Sequence, residues 1–216
     1  MTINLCFHGI GEPERELEPD EEQFWISSKR FDELLDAAEG MPSVNITFDD
    51  GNASDAAIAL PALVARGLTA AFFVIAGRMG QPGSLRAADV RTLADAGMTI
   101  GSHGMRHVPW RFLDEPSLRD ELDGAVPLIA EAAGREVDQA SCPFGAYDRR
   151  VLRALRERGF SRVYTVDRRP AAPNAWLQGR FVIRSTDTAD SIRRFGQDPF
   201  PRSLVLAAKS AAKRWR

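Results

Sequence analysis

Along the chain, short apolar runs alternate with longer amphipathic stretches, and the two periods take turns from one end to the other. Residues 3–8 and 44–48 are runs of strand length. Residues 69–76 are almost continuously apolar, the pattern of a parallel strand covered on both faces. Further strands are expected at 98–102, 137–142, 161–166 and 181–184. Helical spacing fills the gaps. It predicts helices over 28–38, with Phe31, Leu34 and Leu35 on one side; from Ser54 as N-cap to Arg66; and from Ser84 as N-cap to a stop at Gly97. The next three cover 117–133, with a kink at Pro127, then 148–158 and 187–195, and a last one covers about 203–215. Residues 11–22 and 167–179 carry no period and read as loops. Repeated strand–helix alternation implies an α/β fold with a largely parallel sheet and helices outside it. No linker or repeat divides the chain, so a single domain over 1–216 is expected, ending in a basic helix.

Composition narrows the class. With 216 residues, 44% hydrophobic and 27% charged, the chain has ordinary globular content, which excludes a disordered, collagen-like or disulfide-built protein. No apolar run reaches the length of a membrane span. The first residues lack the basic start and apolar core of a secretory signal, so a cytoplasmic location is expected. There the two cysteines, Cys6 and Cys142, would be reduced and act as small buried hydrophobes. Charge is unevenly spread. Residues 1–140 hold 11 basic against 24 acidic groups, and residues 141–216 hold 17 against 6. Two attracting halves of one domain explain this, and so does an anionic substrate handle or a membrane surface met by the Arg-rich end. Seven acids crowd into residues 12–22, a segment expected to be solvated and mobile, with a possible role as a lid.

Chemistry concentrates at strand ends, where such folds place their sites. The chain has three histidines, and all three sit there: His8 after the first strand, His103 and His107 after the fourth. Asp49-Asp50-Gly51 ends the second strand, and Pro143-Phe144-Gly145 follows the fifth. Alone, a His-x-x-x-His pair is more often a cap plus a surface residue, and adjacent acids more often mark a turn. Together, two imidazoles and a carboxylate make a site for a borderline divalent metal, with the second carboxylate free to take a proton.

Thr47-Phe48-Asp49-Asp50-Gly51, Ser102-His103-x-x-x-His107 and Pro143-Phe144-Gly145 resemble the first three motifs of the polysaccharide deacetylase family (carbohydrate esterase family 4, the NodB homology domain), over roughly residues 8–167. The resemblance implies a distorted (β/α) barrel of about seven strands and metal-dependent removal of an N-acetyl group from a sugar. It makes Asp50, His103 and His107 the metal ligands, Asp49 the general base and the Phe144 N–H an oxyanion donor. Zinc leads among the metals implied, ahead of cobalt, nickel and iron. The chain departs from the family pattern in three places. Ser141 stands where an Arg commonly braces the base, with Arg180 or Arg184 as replacements from a later strand. An Asp-Trp signature is not evident, with Asp167 or Trp176 as stand-ins, and no histidine follows His107. Some deacetylases resembling this one begin with a strand ending in Tyr-His or Phe-His, and Phe7-His8 then makes His8 the general acid. Trp110, Trp176 and Arg180 are candidate substrate contacts. The implied partner is an acetylated saccharide or glycan precursor, with no nucleic acid. The same scaffold also suits a hydrolase of other amides or cyclic imides, or a non-catalytic saccharide-binding barrel. For the last helix, with Leu204, Ala208, Ala211 and Trp215 on one face, docking on the barrel and membrane-surface contact are the two readings.

Overall fold

A computed structural model describes residues 1–41, 43–197, 205 and 208–213. The apolar runs become staves of a parallel barrel: β1 (Ile3–Phe7), β2 (Val44–Asp50), β3 (Ala70–Val74), β4 (Thr99–Ser102), β5 (Gln139–Ser141), β6 (Arg162–Thr165), β7 (Leu177–Gly179) and β8 (Phe181–Val182). Hydrogen-bonded neighbours run β7-β6-β5-β4-β3-β2-β1-β8, every pair parallel. Only Arg180 separates β7 from β8. One segment therefore lies along β6 with its first half and along β1 with its second, so the eight strands act as seven staves and the barrel nearly closes. This is the architecture expected, with one addition: β7 lies in the stretch 167–179 read as loop.

The period-2 alternation of each strand sorts its residues between two environments. Phe7, Phe48 and Phe72 are register partners on adjacent strands. Phe48 stacks on both others at ring centroids of 5.4 and 4.6 Å, and Phe31 of α1 (Ser28–Glu39) meets Phe7 edge-on at 5.3 Å. That is the main core, between barrel and helices. The alternate residues face the interior, which is small and polar. Ala71, Phe73 and Tyr164 form its only apolar cluster among the described residues. Beside them, buried Asn4 donates to Gln178 Oε1 and Gly179 O, both at 2.9 Å, and stitches β1 to β7.

The helices follow their expected order with local corrections. The 117–133 stretch is two helices, α4 (Glu115–Asp123) and α5 (Ala125–Ala133), broken at Gly124 and not at Pro127. Pro127 falls in the first turn of α5, where its missing N–H removes no bond. The helix after β2 opens as a π-turn (Asp55–Ala59) before α2 (Leu60–Ala65), and the Leu60 N–H reaches back to Asp55 O. Ser54 holds the N-cap position, as expected, but makes no side-chain capping bond; its hydroxyl accepts from Ile10 N at 3.2 Å. By contrast, α3 (Ala87–Asp95) starts at Arg86, whose N–H donates to Asp89 at 2.9 Å, and not at Ser84. α6 (Arg149–Glu157) is capped by Asp148 and α7 (Ala189–Arg193) by Thr188. Of the expected final helix, 205 and 208–213 are helical, while Leu204 and Trp215 lie outside the described residues. Its described part docks: Ser210 and Lys213 donate to Asp167 at 3.1 and 2.8 Å.

Replacing Asn4 by Ala removes both bonds to β7 and leaves a buried carbonyl unmet. Unfolding in urea is expected to show a loss of about 1–3 kcal/mol. An unchanged midpoint would mean that the closing strand does not depend on this contact.

Candidate active site

The carboxyl ends of β2, β4 and β5 converge with the segment after β1 on one cleft of about 370 Å3. It is lined by His8, Asp49, Asp50, His103, His107 and Phe144, and on the loop side by Glu18, Asp20, Glu21 and Phe24. Adjacent residues of a strand point to opposite faces, so two neighbouring aspartates should not share a site. They do here because Asp50 takes φ of +79°, followed by Gly51 at +71°. That left-handed turn swings Asp50 back to the mouth. His107 and Phe144, both at φ +57°, are held in the same region of backbone space that side chains disfavour. At Gly145 (φ +60°) a Cβ would lie 2.4 Å from Val166 Cγ2, so only glycine fits this turn.

Asp50, His103 and His107 offer ligand atoms that all lie within 4.8 Å of one another. The Asp50 Oδ1 sits 3.5 Å from His103 Nε2 and 3.4 Å from His107 Nε2. It is buried and has no hydrogen-bond partner among the described residues. Tetrahedral zinc with arms of about 2.0–2.1 Å places neighbouring ligand atoms about 3.3–3.4 Å apart, so the two edges that meet at Asp50 Oδ1 suit such an ion. Both imidazoles are aimed from behind. His103 Nδ1 lies 2.9 Å from Ser141 O, which makes that nitrogen the N–H and leaves the Nε2 lone pair toward Asp50. His107 Nδ1 lies 3.1 Å from Glu18 Oε2. Burial lowers the His103 pKa to about 4, so the ring is neutral at pH 7.

Asp49 is held differently. Arg180 grips it with two bonds of 2.7 Å, Nη1 to Oδ1 and Nη2 to Oδ2, and Ser141 Oγ adds a third at 3.1 Å. Arg180 also donates to Ser141 Oγ at 2.6 Å and Thr47 Oγ1 at 3.1 Å. Burial alone would raise the Asp49 pKa; the guanidinium outweighs it, with His103 adding to the pull, and holds the carboxyl well below the usual range. Asp49 is therefore ionised near neutral pH. Arg180 fills the bracing role foreseen for it, Arg184 does not, and Ser141 completes the network. The same geometry corrects the idea of Arg180 as a substrate contact, because it is fully buried.

The two tryptophans also lie elsewhere. Trp110 is fully buried in a second core cluster with Leu118, Leu122 and Tyr147. Trp176 packs on that cluster, donates to Phe160 O at 2.7 Å and is covered by the Arg156 guanidinium at 3.9 Å. Neither lines the cleft. Phe144 does, 56% exposed, with its ring 4.4 Å from that of His107. The N–H groups of Gly145 and Ala146 are committed to Cys142 and Pro143 carbonyls, and the Phe144 N–H has no acceptor among the described residues.

His8 lines the cleft and stacks on Phe24 at 5.2 Å, and its Nδ1 is buried without a partner among the described residues. A nitrogen of His8 lies within 4.8 Å of Asp49 and Cys6, beside the braced acid. Burial pushes the Cys6 thiol up, so it stays protonated. The acidic stretch 12–22 is pinned, not the free solvated segment expected. Arg15 bridges Glu21 and Asn52, and Arg78 pairs with Glu18. Glu18 was missed, since nothing in a run of seven acids singles out one. The cleft lining contains five carboxylates and no Lys or Arg, so the Arg-rich third does not supply an anion handle there.

Comparisons with known proteins show the family. The family model described as Polysaccharide deacetylase matches residues 36–163. The Bacillus subtilis (strain 168) protein YxkH, whose name assigns it to the polysaccharide deacetylases, is 27% identical over 124 residues, 57% of this chain and 44% of that protein. The structure of Streptococcus pyogenes deacetylase PplD in complex with acetate superposes with a TM-score of 0.77 at 17% identity, over 92% of this chain and 98% of that one. IcaB from Ammonifex degensii gives 0.71 at 21% identity, over 91% and 97%. At these identities the structures attest the fold alone.

Arg180→Met leaves Asp49 a buried, unpaired charge, and is expected to destabilise the protein by about 3–5 kcal/mol in urea titrations at pH 7. In the wild type the folded pKa of Asp49 is depressed. The pair's contribution is therefore complete above the ordinary carboxylate pKa and fades as pH falls below about 4. Arg180→Lys should recover only part, lacking the two-pronged grip. A loss under about 1 kcal/mol for Arg180→Met would contradict the pair's importance.

Proposed function

The chain belongs to the polysaccharide deacetylase family, and on that footing we propose that it is a metal-dependent hydrolase that removes the N-acetyl group from an acetamido sugar. The observation that carries the reading is the unpartnered Asp50 carboxylate set between two Nε2 atoms, next to a second carboxylate braced by Arg180. A pure binding barrel has no use for that pairing of an open ligand triangle and a positioned base.

Asp50, His103 and His107 would hold the ion. A divalent ion there, zinc first among the choices, supplies Lewis acidity and lowers the pKa of a water at the site. Asp49, kept ionised by Arg180, takes a proton from the water as it adds to the acetyl carbonyl. Ser141 and Arg180 hold the carboxylate, and Asp49 lines the cleft. The Phe144 N–H receives the developing oxyanion, a contribution of a few kcal/mol for one well-placed donor. His8, which lines the same cleft beside Asp49 and not across from it, protonates the departing amine. The exposed Phe144 ring gives a sugar an apolar face to lie on. A cleft without Lys or Arg suits a neutral saccharide better than a phosphorylated one.

Elemental analysis of the purified protein is expected to give about one divalent ion per chain, lost in the His103→Ala/His107→Ala variant. Asp49→Asn should keep the ion and lose kcat by about 10²–10⁴ on an N-acetylated oligosaccharide. Equal metal content in wild type and double variant, or near-full turnover by Asp49→Asn, would defeat the assignment. His8→Ala should leave metal content unchanged, cut kcat by about 10²–10⁴ and flatten the alkaline limb of the pH–rate profile. If that limb persists in His8→Ala, the amine takes its proton from another group.

A further inference from the structure

The two ligating histidines are backed by different parts of the chain. His103 rests on a barrel carbonyl, Ser141 O, at 2.9 Å. His107 has no such support from the barrel. Its Nδ1 meets Glu18, at 3.1 Å from Oε2 and 3.3 Å from Oε1, across 89 residues of sequence. Glu18 is itself fixed on two sides. Arg78, in the turn that follows β3, pairs with its carboxylate, and the Glu18 backbone N–H donates to Glu21 Oε2 at 2.8 Å. Glu21 is anchored in turn by Arg15, which also holds Asn52, next to the Asp50-Gly51 turn. A further tie lies at the start of the segment, where the Trp25 ring packs against Gly9 so closely that a Cβ there would come within 2.1 Å.

We infer that Glu18 is a positioning residue for His107: its carboxylate accepts the Nδ1–H, turns the Nε2 lone pair toward Asp50, and makes the acidic segment 11–22 part of the metal site's support. The physical reasoning is short. A neutral imidazole carries one N–H, and the nitrogen that meets an acceptor-only carboxylate must bear it. The other nitrogen is then a lone pair, which a cation needs. Rotating the ring about its Cβ–Cγ bond would break the Glu18 contact, so the same bond restricts orientation. His107 stands in a disfavoured backbone region with its ring tilted 31° against that of Phe144 at 4.4 Å, and has fewer barrel contacts than His103. Because Glu18 belongs to a segment far from both β2 and β4 in sequence, ordering of that segment and ligand orientation become one event. The remaining acids of 12–22 lack this contact.

This inference rests on the metal reading given above, and its test separates the two. Long-range imidazole ¹H–¹⁵N spectra of the metal-free, full-length protein are expected to show His107 as the Nδ1–H tautomer. Glu18→Ala should shift it toward Nε2–H or a mixture, while Glu18→Gln, whose amide oxygen still accepts, should largely restore the wild-type pattern. Zinc affinity, measured by competition with a chromophoric chelator, should fall about 10–100-fold in Glu18→Ala and less in Glu18→Gln. Unchanged tautomer and affinity within twofold in Glu18→Ala would overturn the inference and leave the metal site standing. If the wild type bound no zinc, the metal reading would fail, yet the spectra would still judge the Glu18–His107 contact. A change of coordination number in the visible spectrum of the cobalt-substituted Glu18→Ala protein would mark Glu18 as a direct ligand and overturn its positioning role.

Discussion

One buried ion pair joins the fold to the chemistry. Arg180 occupies the single position between β7 and β8, where the last stave leaves β6 and joins β1. Its side chain crosses the barrel interior to Asp49 at the end of β2. Taking both charges out of water costs several kcal/mol per ion, and Coulomb attraction alone does not reliably offset it. Here the remaining donors and acceptors are also met: Thr47, Ser141 and the Thr165 carbonyl complete the guanidinium's partners. The Phe73 and Tyr164 rings flank it at 5.5 and 5.7 Å. Closing the barrel and holding a carboxylate ionised at its mouth are thus the same act. An apolar plug at this point would close the barrel as well and leave Asp49 without a reason to stay charged.

That arrangement explains why the interior is polar. In most barrels of this kind the inward residues are branched and apolar. Here Asn4, Thr47, Asp49, Ser141, Gln178 and Arg180 take those places, and the apolar burial that holds the fold together lies outside the sheet, in the Phe7–Phe48–Phe72 stack under α1. The polar interior is tolerable because its hydrogen bonds are largely made internally. The disfavoured backbone at Asp50, His107 and Phe144 is stored at the mouth, with costs of order 1–3 kcal/mol each. Each of the three puts a group where regular strand or helix geometry would not.

What the sequence discloses follows from this division of labour. Staves β1 to β6 are legible because they bury an apolar face, and apolar periodicity is what a sequence shows best. The four groups of strand-end residues are legible because histidine is scarce here and strand ends are where sites form. The closing stave is not: β7 has three residues behind a proline-punctuated stretch, and it is held by Asn4, Gln178 and Arg180 and not by alternation. The π-turn is invisible because propensity does not distinguish it from α-helix, although Pro61, which has no N–H to give, lies in the turn that follows. Trp110, Trp176 and Arg180 have the right chemistry for a sugar, and composition cannot say that two are core and one is a brace. Glu18 is hidden by its neighbours, since a run of acids in sequence carries no mark of which one meets a histidine.

The site consequently has a fixed half and a hung half. Asp49, Asp50 and His103 are 2–4% exposed, sit at strand ends and are aimed by barrel atoms. His107, Phe144, His8 and Glu18 stand on turns or on the acidic segment, and depend on one another: Glu18 on His107, His107 against Phe144, Phe24 against His8. The uneven charge of the chain falls along this line. The carboxylates of the cleft all come from the acid-rich first part, and Arg180, from the Arg-rich last third, meets one of them from inside the barrel, where it serves structure. On the proposed function, two corners of the ligand triangle and the base are set by the barrel, while the third corner, His107, is set by the pinned acidic segment. The carboxyl-terminal mouth of a nearly closed barrel allows both kinds of support, because strand ends are set by the sheet while the segments between them are set by their own contacts.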